Sequence, residues 1–443
     1  MPATPGTTGS ETGRGASAPA LASASAAFSS SDSTRRGVQT STVSTTTLDG
    51  TSSLAGISDR WCRRRPMWQA GAILLTLSSV WTACGSGVLY APWSPETQSG
   101  WTQAAGDASG DGLLIDGLEP PLRLRWQQEV DKPPLGSPLI AGPLLLQWSK
   151  APDLYVFDVI SGTRVGKRSS DDPVCGPPAL AGGGGRIMLV SILEDPSQLR
   201  AIDLESGDIV WRQEGALCAA VVVRGDTVYA AMESGKMRAL AAADGRVLWT
   251  LDLEAPLTGA PSLAGDVLYI ADGAGDLVAA SIDSGHVLWR RDLGSPVRSR
   301  PTVDIDEGRV LAAIDGRLHA LAAETGESLW WAEFDGLPSL GLYVSSTQVA
   351  VGSTDQSLYA FDLATGQPLW RCVTEGIVRG APVGTASTIY LGAGDGWLHA
   401  VDTTDGSMRW QQQLDGPVLT SVALTRQRLA VTTERGTTYV FSR

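Results

Sequence analysis

Seven tryptophans at nearly constant spacing constrain this chain more than any other feature. Trp126, Trp211, Trp249, Trp289, Trp330, Trp370 and Trp410, with Lys167 in the slot between the first two, follow one another at intervals of 41, 44, 38, 40, 41, 40 and 40 residues. Each Trp closes a pattern of apolar-x-Ala-x-Asp-x-x-Thr-Gly-x-x-x-Trp, fullest in Tyr359-Ala-Phe-Asp-Leu-Ala-Thr-Gly-Gln-Pro-Leu-Trp370. A period of about 40 residues marks a propeller or another array of one repeated unit. Gly162, Gly207, Gly245, Gly285, Gly326, Gly366 and Gly406 recur just as regularly, each after Ser, Thr or Asp. Such a dipeptide suits a tight turn that needs positive φ.

Four short β-like runs fit within one period. After Trp249 they are Ala260-Pro-Ser-Leu263, Val267-Leu-Tyr-Ile-Ala271, Leu277-Val-Ala-Ala-Ser281 and Val287-Leu-Trp-Arg290, separated by Gly- and Asp-containing turns. Four strands per unit make one propeller blade. Eight slots call for eight blades, yet beyond Trp410 the chain supplies only three runs, Val418–Leu424, Leu429–Thr433 and Thr437–Phe441. The missing outer strand is Leu122-Arg-Leu-Arg-Trp126. The sequence therefore predicts an all-β, eight-bladed propeller over residues 122–443, closed by the first strand completing the last blade, which leaves no open edge at the seam.

The rest of the chain has a different composition. Residues 1–62 are rich in Ser, Thr, Ala and Gly without apolar periodicity and read as a disordered leader, since they cannot bury enough surface to offset ordering entropy. A translation start further in, near Leu54, would leave a leader of ordinary length. In residues 63–84, three arginines precede the apolar run Ala70–Val80 and then Trp81-Thr-Ala-Cys84, the layout of an export signal. Positive charge before the run keeps that end inside and sends the ring out of the cytoplasm. An uncleaved single-pass anchor is the alternative, although about 17 apolar residues are marginal for a bilayer. Residues 85–121, rich in Gly, Ser, Asp and Pro, read as a flexible tether.

Setting residues 1–84 aside leaves 27 basic and 43 acidic residues, a balance of −16. That sign argues against nucleic acid and against adsorption to anionic lipid.

The repeat accounts for most residues that might carry chemistry. His319 and His399 occupy one repeat position two blades apart, so they cannot form a compact ligand set, and His286 follows a turn glycine on the surface. Asp158, Asp203, Asp362 and Asp402 share another slot, where a carboxylate accepts from backbone amides of the following turn. Cys175 and Cys218 fall at the start of innermost strands in adjacent blades, where two buried free thiols are the plainer reading and a disulfide the alternative. No metal, cofactor or catalytic residue is expected.

The loops leading into the innermost strands form one rim of the channel. Arg298 and Arg379 stand three residues before the strand prolines Pro301 and Pro382, and Arg300 shares a strand face with Arg298. These three arginines read as a small basic cluster that either anchors an acidic protein partner or pairs with acids on neighbouring loops.

With its Ala-x-Asp-x-x-Thr-Gly-x-x-x-Trp core, the repeat resembles that of the pyrroloquinoline quinone propeller family. The resemblance covers residues 122–443 and implies that the seven tryptophans pack between blades, each burial contributing about 1.5–3 kcal/mol. Quinone enzymes of the family carry a vicinal disulfide over the cofactor, and no Cys-Cys pair occurs here. The expectation is therefore the non-catalytic branch, with no cofactor and no enzyme activity. Small residues before Cys84 resemble a lipoprotein signal, in which that cysteine is lipidated. Leader, lipidated cysteine, tether and a single monomeric ring together resemble the layout of the outer-membrane protein assembly factor BamB family. That implies a membrane-anchored envelope scaffold whose protein partner is an outer-membrane barrel assembly component. A generic envelope propeller presenting a ligand to a sensor or transport system, or a degenerate quinoprotein, is the alternative.

Overall fold

The computed structural model describes residues 100–443 apart from 104, 105, 107, 131, 171, 183–185, 218, 298 and 305. Short runs of Val, Leu, Ala and Tyr broken by Gly and Asp form strands, and no helix occurs among the described residues. Blade 4 shows the unit, in which Ser262–Ala264, Val267–Ala271, Asp276–Ser281 and Val287–Asp292 pair antiparallel in that order. Eight such four-stranded blades make up an eight-bladed β-propeller. The two middle strands are almost fully buried, because their faces meet neighbouring blades on both sides.

Closure follows the sequence reading. Arg123–Glu129 forms the outer strand of blade 8 and pairs antiparallel with Thr437–Ser442, with Arg123 opposite Ser442 and Glu129 opposite Thr437. Arg125 reinforces the seam by donating to the Ser442 hydroxyl and the Arg443 carbonyl.

Each slot tryptophan reaches into the turn of the next blade. The indole N–H groups of Trp126, Trp211, Trp249, Trp289, Trp330 and Trp370 donate to the carbonyls of Val159, Ala242, Ile282, Ala323, Leu363 and Thr403 at 2.6–3.0 Å. Beneath each ring lies the turn glycine. An added Cβ at Gly162, Gly245, Gly285, Gly326, Gly366 or Gly406 would sit 2.5–2.6 Å from the indole, and all six glycines have φ near +70°. The glycine is thus required both by the turn and by the ring that covers it.

The two exceptions have local causes. At the second slot Lys167 pairs with Asp153 at 3.2 Å, and Arg168 reaches the Gly207 carbonyl in place of an indole. Trp410 precedes the seam, where blade 8 has no third-to-fourth strand turn, and packs edge-on against Phe441 at 5.8 Å. Asp158, Asp203, Asp362 and Asp402 accept from the amides of Ser161, Ser206, Thr365 and Thr404 at 2.7–2.9 Å, so these carboxylates are turn caps.

Candidate functional site

Innermost propeller strands expose one row of unpaired backbone groups to the central channel, an edge that a protein must cover or pair. Here the chain covers it with itself. The sequence reads residues 85–121 as a flexible tether, but from Gly100 onward the segment runs along the inner edges of successive blades. Gly100 and Trp101 pair with Ala141 and Ile140 of blade 1 as a fifth strand. The Thr102 carbonyl accepts from Leu180 of blade 2 at 2.9 Å. The side-chain amide of Gln103 bonds in both directions with the backbone of Val223 in blade 3, at 3.0 and 3.3 Å.

The Ala108 carbonyl accepts from Leu263 of blade 4 at 2.8 Å, and the Asp111 carbonyl accepts from Val344 of blade 6 at 2.9 Å. Gly112 and Leu114 then bracket Gly384 of blade 7, each through one backbone bond of 2.8 Å. Small residues make this approach feasible. At Gly112 (φ +66°) an added Cβ would lie 2.7 Å from the Pro382 carbonyl, and at Gly110 (φ +68°) it would lie 2.7 Å from the Arg300 guanidinium.

Glu119 fastens the far end of the segment. Its carboxylate accepts from the hydroxyls of Thr385 and Thr388 and from Arg409, the last at 2.9 Å. Burial pushes this carboxyl up, but the hydroxyls of Thr385, Thr388 and Ser387, together with Arg409, outweigh it and hold it below the ordinary glutamate value.

Of the three rim arginines, Arg300 and Arg379 are among the described residues. Arg298 lies outside the described residues, as do Cys84 and Cys218. Arg300 is only 6% exposed and points inward, where Nε donates to the Pro261 carbonyl and Nη2 to the Ala108 carbonyl at 3.1 and 2.7 Å. The covering segment supplies the acceptor that a partner was expected to supply, so Arg300 is a fastener for residues 108–110 and is no part of the exposed rim. Arg379 is exposed. The Arg379 carbonyl accepts from Leu340, and the Leu340 carbonyl accepts from Arg300, both at 3.0 Å, so backbone bonds tie three rim loops together.

Among the remaining candidates, Cys175 is disulfide-bonded, which corrects its reading as a free thiol. The buried His399 bonds Asp395 at 3.0 Å, His286 is exposed, and His319 lines a cavity between loops of blades 4 to 6. Burial, with Arg317 beside it, pulls the His319 imidazole below its ordinary value. Among the described residues no group of three or more His, Cys, Asp or Glu is placed to hold a metal ion. Residues 100–103 and 108–114 take up inner-edge backbone groups, and no two cysteines are adjacent in the chain.

Sequence reasoning missed the channel segment, because its Gly, Ser and Asp content is also that of a linker. It missed Trp331 as well, which is 55% exposed. A signal for Trp331 was present: the residue after each slot is Gln127, Arg168, Arg212, Thr250, Arg290, Arg371 or Gln411 in the other blades, so Trp331 is the one apolar residue at that position.

Comparison with known proteins places these features among relatives. The family model described as outer membrane protein assembly factor BamB matches residues 117–256, 233–355 and 354–443. Among solved structures, BamB from Moraxella catarrhalis is 20% identical, with a TM-score of 0.60 over 73% of this chain and 100% of that one. The computationally designed Ika8 protein is 15% identical, with a TM-score of 0.62 over 71% of this chain and 98% of that one. Quinohemoprotein alcohol dehydrogenase from Comamonas testosteroni is 14% identical, with a TM-score of 0.64 over 78% of this chain and 81% of that one. No curated protein matches the sequence. At these identities the structural likeness concerns the fold alone.

Proposed function

Because this chain belongs to the outer membrane protein assembly factor BamB family, we propose that it is a non-catalytic envelope scaffold that acts in outer-membrane β-barrel protein assembly. The observation that carries this reading is the occupied channel. In a propeller the channel mouth is the natural place for a small ligand, and here the chain's own backbone takes the inner-edge hydrogen bonds. What remains for recognition is the outer surface of the ring and its loops, which suits a protein partner. Arg379 and the exposed Leu337, Leu340 and Val373 lie on or beside the rim loops and contribute to that surface. Residues 63–84 act as export signal, with Cys84 lipidated and the ring held at the membrane.

The test is purification of the full-length protein from its own cells in detergent, read by mass spectrometry. A large β-barrel assembly protein in the eluate and acyl chains on Cys84 are the expected outcome. Acylation without a barrel protein overturns the assembly role, and an unmodified, uncleaved chain overturns the lipid anchor.

A further inference from the structure

The third-to-second strand geometry of blade 5 differs from that of every other blade. Its second and third strands, Arg309–Ile314 and Arg317–Ala322, are joined by the two residues Asp315-Gly316, where the other blades use three or more. This turn and the loops entering and leaving the blade line a cavity of about 710 Å³. Asp315, Glu333 and Asp335 are among its lining residues, as are His319, Phe334 and Tyr359.

Trp331 stands directly beside this cavity. It pairs across the strands with His319, as Glu333 does with Arg317, so Trp331 and Glu333 share the face that carries the two cavity-lining residues. Arg317 holds its guanidinium 5.1 Å from the Trp331 ring centroid and 3.2 Å from Glu333. In blade 6 the Arg371 guanidinium lies likewise 5.1 Å from the ring of Tyr359. Both aromatic faces therefore already accept a cation, and Trp331 keeps 55% of its surface open for another contact. Leu337, which follows the cavity-lining Gly336, is 48% exposed.

We infer that blade 5 carries a docking site for a protein segment in which basic residues alternate with apolar ones. A lysine or arginine enters the cavity toward Asp315 and Asp335, and neighbouring apolar side chains lie on Trp331 and Leu337. Charge complementarity selects this occupant. The exposed Asp315 and Asp335 carboxylates offer attraction to a cation, the ring as a whole is acidic, and an acidic segment would be repelled. An exposed tryptophan ringed by polar neighbours is the residue type that dominates binding energy at such sites. The inference does not depend on the assembly role.

The experiment is a titration of the detergent-solubilised full chain with the fluorescein-labelled peptide Lys-Val-Lys-Phe-Lys-Val and with its counterpart bearing glutamate for every lysine, followed by anisotropy. The lysine peptide binds, more weakly as salt rises, and the glutamate peptide does not. Trp331→Ala and Asp335→Asn each weaken binding about tenfold, whereas Thr250→Ala, at the same repeat position in blade 3, leaves it unchanged. All three positions are exposed, and an unchanged melting temperature verifies that the variants are folded. Absence of binding by the lysine peptide, or equal binding by wild type and the two blade 5 variants, overturns the site. Because the peptide assay uses no assembly component, its failure is separable from failure of the barrel protein to co-purify.

Discussion

The indole of Trp370 lies over Gly406 of the following blade so closely that the glycine has no room for a side chain, and the same ring donates to Thr403 at 2.9 Å. Ring and turn are one joint. Trp370→Ala empties it and leaves the Thr403 carbonyl without its donor, an expected loss of about 2–4 kcal/mol. Gly406→Ala strains a residue at φ +72° and drives a methyl group into the ring, and lowers stability by about 1–3 kcal/mol. Lys167→Ala removes only a partly exposed ion pair and costs under about 1 kcal/mol. Denaturant unfolding of the three variants checks the order, and equal effects would disprove the joint.

The channel segment makes a prediction that amide exchange can read. The amides of Leu180, Leu263, Val344 and Gly384 donate to the carbonyls of Thr102, Ala108, Asp111 and Gly112. Deleting residues 1–112 exposes these four donors, so their exchange accelerates while amides between the middle strands of each blade stay protected. Slow exchange that persists at all four would mean that another group satisfies them.

Arg300 offers a narrower probe of the same contact. Arg300→Met keeps much of the volume but leaves the Ala108 and Pro261 carbonyls short of a charged donor, an expected cost of about 1.5–3 kcal/mol. If Arg300 served an external partner instead, Arg300→Met would spare stability and impair only co-purification.

Acid should loosen the far end of the segment first. The folded Glu119 carboxyl lies below its unfolded value of about 4.3. Its contribution is therefore fully present above that value and is lost as pH falls through the lower, folded one. Between neutral pH and about pH 3 the melting temperature of wild type should fall more steeply than that of Glu119→Gln, which lacks this titration. Parallel pH profiles would remove Glu119 from the account.

The slot tryptophans, the turn glycines and the strand runs were legible in the sequence because each acts within one repeat, and eight copies average out local variation. Closure by Leu122–Trp126 was legible by subtraction, since three strands after Trp410 need a fourth. The path of residues 100–119 was not, because it is held largely by backbone carbonyls and glycine φ values, which carry no side-chain signature. The inward contact of Arg300 was hidden for the same reason, since one of its acceptors is the carbonyl of Ala108, 192 residues away. Trp331 was legible in principle, as the single departure from a polar column, but only once the columns were read for exceptions instead of for the rule.

Arg125 and Ser442, joined at the seam, are 317 residues apart. On a growing chain the strand Arg123–Glu129 is made first and waits for a partner that follows blades 1 to 7. Until Thr437–Ser442 emerges, blades 1 to 7 can stack but the circle stays open, with a bare strand at either end. A chain that has not yet reached Thr437–Ser442 is consequently marked as unfinished by its own sticky edges.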